Sequence, residues 1–166
     1  MLEIIKSRRS IRNFLEKPVP SDLFSSLLEA ARWAPSGSNM QPWVFVAVRE
    51  KDNIRKIKMF SPGLGGVPTA LIILCSDGAI KESTAIMDIS MAAQNVMLTA
   101  IDKGLGSCCV RSFDQKALQA LLSLPSHIMP ELIISLGYPA KQVKATRRRP
   151  IEEIVHWEEY GGRLNE

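Results

Sequence analysis

Ala34-Pro35-Ser36-Gly37-Ser38-Asn39-Met40-Gln41-Pro42-Trp43 is where the hydrophobic pattern of this chain changes period. Before it, Leu23, Phe24, Leu27, Leu28 and Ala31 recur at helical spacing, so a helix lays one face on a core. Ser21 or Asp22 caps that helix. After the stretch, Val44-Phe45-Val46-Ala47-Val48 is an unbroken apolar run of strand length. Pro35 ends the helix, because it restricts the residue before it and has no N–H. Gly37 permits a positive φ. Ser36, Ser38, Asn39 and Gln41 then pack compact polar groups into one turn. Such a loop either simply joins helix to strand or presents hydrogen-bonding groups to a planar polar ligand.

Toward the N-terminus, residues 2–6 read as a short helix, followed by Arg8-Arg9-Ser10-Ile11-Arg12-Asn13-Phe14. Arginines at 8, 9 and 12 around a serine are either a solvated basic turn or a set of forked donors for phosphate. Lys17-Pro18-Val19-Pro20 is an extended linker. Toward the C-terminus, residues 51–60 read as a helix and 61–68 as flexible punctuation. The glycines there lack the strand–GxGxxG–helix order and a Walker lysine, which excludes a Rossmann or P-loop phosphate site. Residues 69–75 form a central strand.

Residues 84–103 make the longest helix, and 86–98 are apolar or small nearly all round. Such a helix is buried in a large core or between subunits. Asp88, Gln94 and Asn95 need partners there. Gly104-Leu105-Gly106 ends that helix. A strand at 107–110, a helix at 115–122 capped by Asp114, and a strand at 130–136 follow. Helices alternating with strands, some reached by crossovers, predict a three-layer domain with a central sheet between helices.

The chain has 166 residues, 46% apolar, and a formal charge of +4, which suits one domain of ordinary size with a real core and an anionic ligand. The basic residues form no long stripe with interleaved aromatics, which argues against nucleic acid as partner. Cys75, Cys108 and Cys109 include no CxxC pair, and His127 and His156 lie far from them, so no metal site is expected. The two adjacent cysteines read as two buried thiols, because a vicinal disulfide is strained. No apolar run is long enough to span a membrane. The first residues lack the shape of a secretory leader, so a reducing, cytoplasmic setting is expected.

Six segments, in order and over nearly the full length, resemble the nitroreductase family of FMN-dependent oxidoreductases. They are Arg8-Arg9-Ser10-Ile11-Arg12, the 34–43 loop, Asp88 with Ala92-Ala93-Gln94-Asn95, Gly104-Leu105-Gly106-Ser107-Cys108, Leu136-Gly137-Tyr138-Pro139, and 148–157. The resemblance implies an α+β, three-layer fold with a central mixed β-sheet. It implies one domain over 1–166, and an intertwined homodimer with FMN at the interface. The tail, about 140–166, reaches the partner.

Each implied site is composite. One subunit gives Arg8, Arg9, Ser10 and Arg12, the backbone around Cys109, Val110, Arg111 and Ser112, and the tail arginines. The other gives Pro35, Ser36, Gly37 and Asn39, with Gln41 beside them. Arg8 and Arg148 bind the phosphate with Ser10 assisting, and Arg147 is the second choice. Arg12 faces the flavin N1–O2 edge. The implied reaction is ping-pong hydride transfer from NADH or NADPH through flavin N5 to a nitroaromatic, quinone or similar small acceptor. No side chain is named as catalytic. The alternatives are a specialised dehalogenase or flavin-cleaving enzyme, or a flavin-binding sensor without turnover.

Overall fold

The apolar runs become four strands: β1 (Trp43–Val48), β2 (Ala70–Asp77), β3 (Gly106–Val110) and β4 (Ile128–Gly137), in the spatial order β1-β2-β4-β3. The structure is a computed structural model that describes residues 1–80 and 83–163. The last three residues of the expected tail, 164–166, lie outside the described residues, as do Lys81 and Glu82.

All three strand pairings are antiparallel. Among the described residues the parallel component of the sheet is a single bridge, Ser10 to Ser107, on the free edge of β3. Ile11 N–H donates to Ser107 O across it at 2.9 Å. Crossovers are present as expected: β1 and β2 are neighbours joined through a helix, and β3 reaches the far edge only after the chain has passed along a face.

Among the described residues five α-helices surround the sheet: α1 (Leu2–Ser7), α2 (Ser21–Arg32), α3 (Lys51–Met59), α4 (Ala85–Asp102) and α5 (Gln115–Leu121). Alternate residues of β2 and β4 point to opposite faces, so each face has its own core. Ile72, Leu74 and Ile134 meet Phe24 and Leu27 of α2 and Ile89 and Val96 of α4. Leu71, Ile73 and Ile133 meet Ile54 and Ile57 of α3 and Leu118 of α5. The expected three layers follow from that alternation.

Asp114 caps α5 as expected, its carboxylate accepting from Ala117 N–H at 2.9 Å. Neither Ser21 nor Asp22 caps α2. The cap position is Pro20, and Ser21 already lies in the first turn. Its hydroxyl instead accepts from Arg49 Nη1 at 2.8 Å. The 61–68 segment is packed rather than flexible, with Ser61 and Leu64 almost fully buried. Cys109 is exposed and only Cys108 is buried, which corrects the expectation of two buried thiols; neither is in a disulfide. Successive strand residues face opposite sides, so two adjacent cysteines on β3 cannot share one environment.

Two further features position the site. The end of α4 is a left-handed turn: Gly104 has φ +73°, its N–H reaches Ile101 O at 3.0 Å, and Leu105 N–H reaches Ala100 O at 2.8 Å. That pair satisfies the last helical carbonyls and turns the chain into β3. In β4, Cys75 pairs with Pro130 and Leu74 with Leu132, which leaves Glu131 as the extra residue of a bulge. A bulge tolerates a proline inside a strand and re-aims the side chain beside it.

α4 is not enclosed on all sides by its own core. Ile86, Met87 and Met91 are 53%, 59% and 39% exposed. The opposite face of the helix, with Ile89, Ala92, Ala93, Val96 and Ala100, is buried in the chain's own core, and the stripe is left uncovered by the rest of the chain. Among the described residues no helix is long and apolar enough to cross a membrane.

Candidate functional site

Three arginines gather on the free edge of β3. The Ser10–Ser107 bridge docks their backbone, and Gly106 makes the docking possible: a Cβ there would stand 2.7 Å from Ile11 Cγ2. Arg8 and Arg9 line a cavity of about 400 Å³ with Ile101, Gly104, Ser107 and Lys141. Arg9 Nη1 donates to Lys6 O at 2.6 Å and Arg8 O at 2.7 Å, while its buried Nε has no partner. Among the described residues no carboxylate pairs with Arg8, Arg9 or Arg12. Two guanidiniums without a carboxylate partner, Arg8 and Arg9, line this cavity, a setting that suits an anion, while Arg12 is exposed outside its lining.

A loop that the sequence reading treated as punctuation completes this edge. Gly63 N–H donates to Ser112 O at 3.3 Å, and a Cβ on Gly63 would press on Val110 and Ser112. A Cβ on Gly65 would stand 3.2 Å from Arg12 Cβ. Gly66, at φ +64°, packs so closely that a Cβ would overlap the Arg12 carbonyl oxygen. One short loop therefore touches both Arg12 and 110–112 and holds them as neighbours. Val110 is buried, whereas Cys109, Arg111 and Ser112 are exposed. Partial desolvation and, next, Cys108 push the Cys109 thiol up although the residue is exposed, and Arg8 opposes this, so Arg8 stands within electrostatic reach of it.

The 36–41 loop is built differently from expectation. Positive φ falls at Ser38 (47°), Asn39 (56°) and Gln41 (51°), and not at Gly37. The Gly37 N–H donates to buried Asp88 Oδ2 at 3.3 Å. Thr84 Oγ1 donates to the same oxygen at 3.2 Å. Ser36 Oγ accepts from Gln41 N–H at 3.0 Å, and Ser36 O from Asn39 N–H at 3.0 Å. Three non-glycine residues in the left-handed region carry strain that a docked, hydrogen-bonded loop can hold. Pro35, Ser38 and Asn39 stay exposed at its rim.

The two groups are not brought together within one chain. The loop docks at Asp88, near the start of α4, and the arginine cavity includes Ile101, near its end. Thirteen residues of helix separate them, about 20 Å at 1.5 Å per residue. Nor are Arg147 and Arg148 placed at the cavity. Both are exposed in the tail, where Arg148 Nη1 donates to Thr146 Oγ1 at 2.7 Å. Lys141 and Gln142 line the cavity instead. Nothing in their spacing marked them, since a lysine in a polar tail has no pattern.

The sequence model described as Nitroreductase family matches residues 5–61 and 58–138. This chain belongs to the nitroreductase family. A Methanothermobacter thermautotrophicus protein with the provisional name NADH dehydrogenase/NAD(P)H nitroreductase is 33% identical over 96% of this chain and 87% of its own length. An NADH dehydrogenase of Thermus thermophilus is 29% identical, covering 90% of this chain and 92% of its own. Among solved structures, an FMN-dependent nitroreductase from Clostridium difficile R20291 superposes with a TM-score of 0.88. It is 28% identical and covers 96% of this chain and 99% of its own. This nitroreductase-family chain thus shares the α+β architecture of its relatives over almost its whole length.

Proposed function

We propose that this protein is an FMN-dependent oxidoreductase. It moves hydride from NADH or NADPH to a nitroaromatic, a quinone or a similar small acceptor in ping-pong order. The observation that carries this reading is the separation of the two predicted half-sites along α4, with an exposed apolar stripe, Ile86, Met87 and Met91, at the start of that helix. In a homodimer whose α4 helices pair antiparallel about a two-fold axis, the start of one helix lies beside the end of the other. The loop of one protomer then faces the arginines of its partner, and two composite sites form.

The residues present suit FMN. A phosphate dianion would meet Arg8, with Ser10 and Lys141 beside it, and the buried Arg9 Nε lacks a partner of its own. Arg147 or Arg148 would come to the same phosphate once the tail, 140–166, settles on the partner. Arg12, held by the 63–66 loop, would place a fixed cation at the ring edge where charge develops. The 110–112 backbone would flank the ring, and Ser36, Gly37 and Asn39 of the second protomer, with Pro35 and Gln41, would close the site. FMN, when bound, supplies two-electron chemistry at its N5 atom, and the protein binds and orients it. The chain is read as one domain working in a reducing cytoplasm.

The test is an anaerobic absorbance titration of the purified protein with FMN, then with NADH and with NADPH. A bound flavin spectrum that bleaches with one nucleotide is the expected result. Bound flavin that neither nucleotide bleaches would refute nicotinamide as donor. Absence of flavin binding would refute the cofactor reading itself.

A further inference from the structure

Glu131 is a buried carboxylate, 8% exposed, in the middle of the sheet. The bulge beside Pro130 leaves it out of the pairing with β2. Ser76 Oγ donates to its Oε1 at 2.9 Å, and Arg111 Nη2 lies 3.4 Å from its Oε2. Arg111 is 58% exposed at the side chain, and its Cζ sits 5.7 Å from the Phe113 ring centroid. The pair is asymmetric: the anion is fixed and buried, and the cation reaches outward from the 110–112 wall. The 63–66 loop binds that wall to Arg12 through Gly63, Gly65 and Gly66. Arg111 therefore lies on the wall that the proposed site gives to the flavin ring, with a buried negative charge behind it.

We propose that Arg111 and Glu131 are a charge pair that sets the reduction potential of the bound flavin. The inference rests on the cofactor reading above. Hydride carries two electrons and one proton from the nicotinamide, so the ring gains one unit of negative charge as the nucleotide becomes cationic. A cation on the ring wall favours the reduced form, and an anion behind that cation diminishes the effect. Glu131 also positions Arg111, because its other oxygen is already held by Ser76 and cannot swing away.

The signs give a test that activity alone would not. Midpoint potentials of bound FMN are measured by anaerobic dye equilibration for wild type, Arg111→Gln, Glu131→Gln and the double variant. Glutamine at 131 keeps an acceptor for Ser76 and Arg111 and removes the charge. Arg111→Gln should lower the potential and Glu131→Gln should raise it. The double variant, which replaces a neutral pair with a neutral pair, should return close to wild type. Arg111→Lys keeps the charge and should hold the wild-type potential, which guards against a folding defect in Arg111→Gln. The proposal is overturned when both single variants keep the wild-type potential or shift in the same direction. Wild-type protein that binds no FMN removes the cofactor reading and this one together. Bound FMN with unmoved potentials removes this one alone.

Discussion

Gly66→Ala isolates the contact that holds Arg12. Gly66 has φ +64°, and an added Cβ would overlap the Arg12 carbonyl oxygen. Two costs result. Holding an L-residue in the left-handed region costs about 1–2 kcal/mol. The overlap is with backbone, which cannot rotate aside, and overpacking of this kind costs about 1–3 kcal/mol more. The expected total is about 3 kcal/mol, unless the loop lifts and releases Arg12. Gly104→Ala is the control for the first cost, because Gly104 has φ +73° with nothing within 4 Å of a Cβ. It should cost about 1 kcal/mol and leave Arg12 untouched. Gly65→Ala is the intermediate case, since its Cβ would meet side-chain rather than backbone atoms of Arg12, at 3.2–3.5 Å. Urea midpoints give the stabilities and quenching of flavin fluorescence gives FMN affinity. Gly66→Ala should lose about 2 kcal/mol more than Gly104→Ala and should bind FMN at least about tenfold more weakly, roughly one lost charge-assisted contact. Equal stability losses in the two variants, with wild-type FMN affinity in both, would refute the claim that this loop positions Arg12.

Other perturbations probe other parts of the argument. Met91→Glu places a charge in the exposed α4 stripe, and sedimentation should show a monomer that no longer binds FMN; a flavin-loaded dimer would contradict the composite site. Asp114→Ala removes the carboxylate cap of α5 and should lower stability by about 1 kcal/mol, read from the thermal midpoint with FMN affinity unaffected. The Cys75 thiol is pushed up to about 12 from its ordinary 9.0, chiefly by burial and next by the Glu131 charge. The folded state thus holds that proton more tightly than the unfolded chain, so this contribution is complete below about pH 9 and is lost as pH rises toward 12. Cys75→Ala should flatten the alkaline fall in the urea midpoint, and parallel pH curves for the two proteins would count against it.

Much of this fold was written in local pattern. Period-3.6 spacing at Leu23, Phe24, Leu27, Leu28 and Ala31 and the apolar run after Trp43 are one-dimensional signals, and α2 and β1 appear where they predict. The same holds for α4 and for Asp114 as a cap, because caps and periodicity act within a few residues. The resemblance to the nitroreductase family was equally legible, since it rests on the order of short motifs. The candidate site was legible only as a roster. The spacing of Arg8, Ser10 and Arg12 names chemistry but does not say what faces it.

Sequence alone determined the element order and the family, and named the first segment as a candidate for anion binding. Tertiary structure decided the rest, because it depends on contacts between residues distant in the chain. The packing of the 63–66 loop on Arg12 and Ser112 spans about 50 residues, and glycine there looked like punctuation until the neighbour that needs the space was known. The positive-φ positions are Ser38, Asn39 and Gln41, in a loop docked through the Gly37 N–H on Asp88, which lies 51 positions away. Glu131 became a fixed anion because Ser76 and Arg111 meet its two oxygens, beside a bulge set by pairing with β2. The length of α4 was readable from pattern, but not that it holds the two half-sites about 20 Å apart. That distance is a property of what docks at each end of the helix, and it is what points the site toward a second copy of the chain.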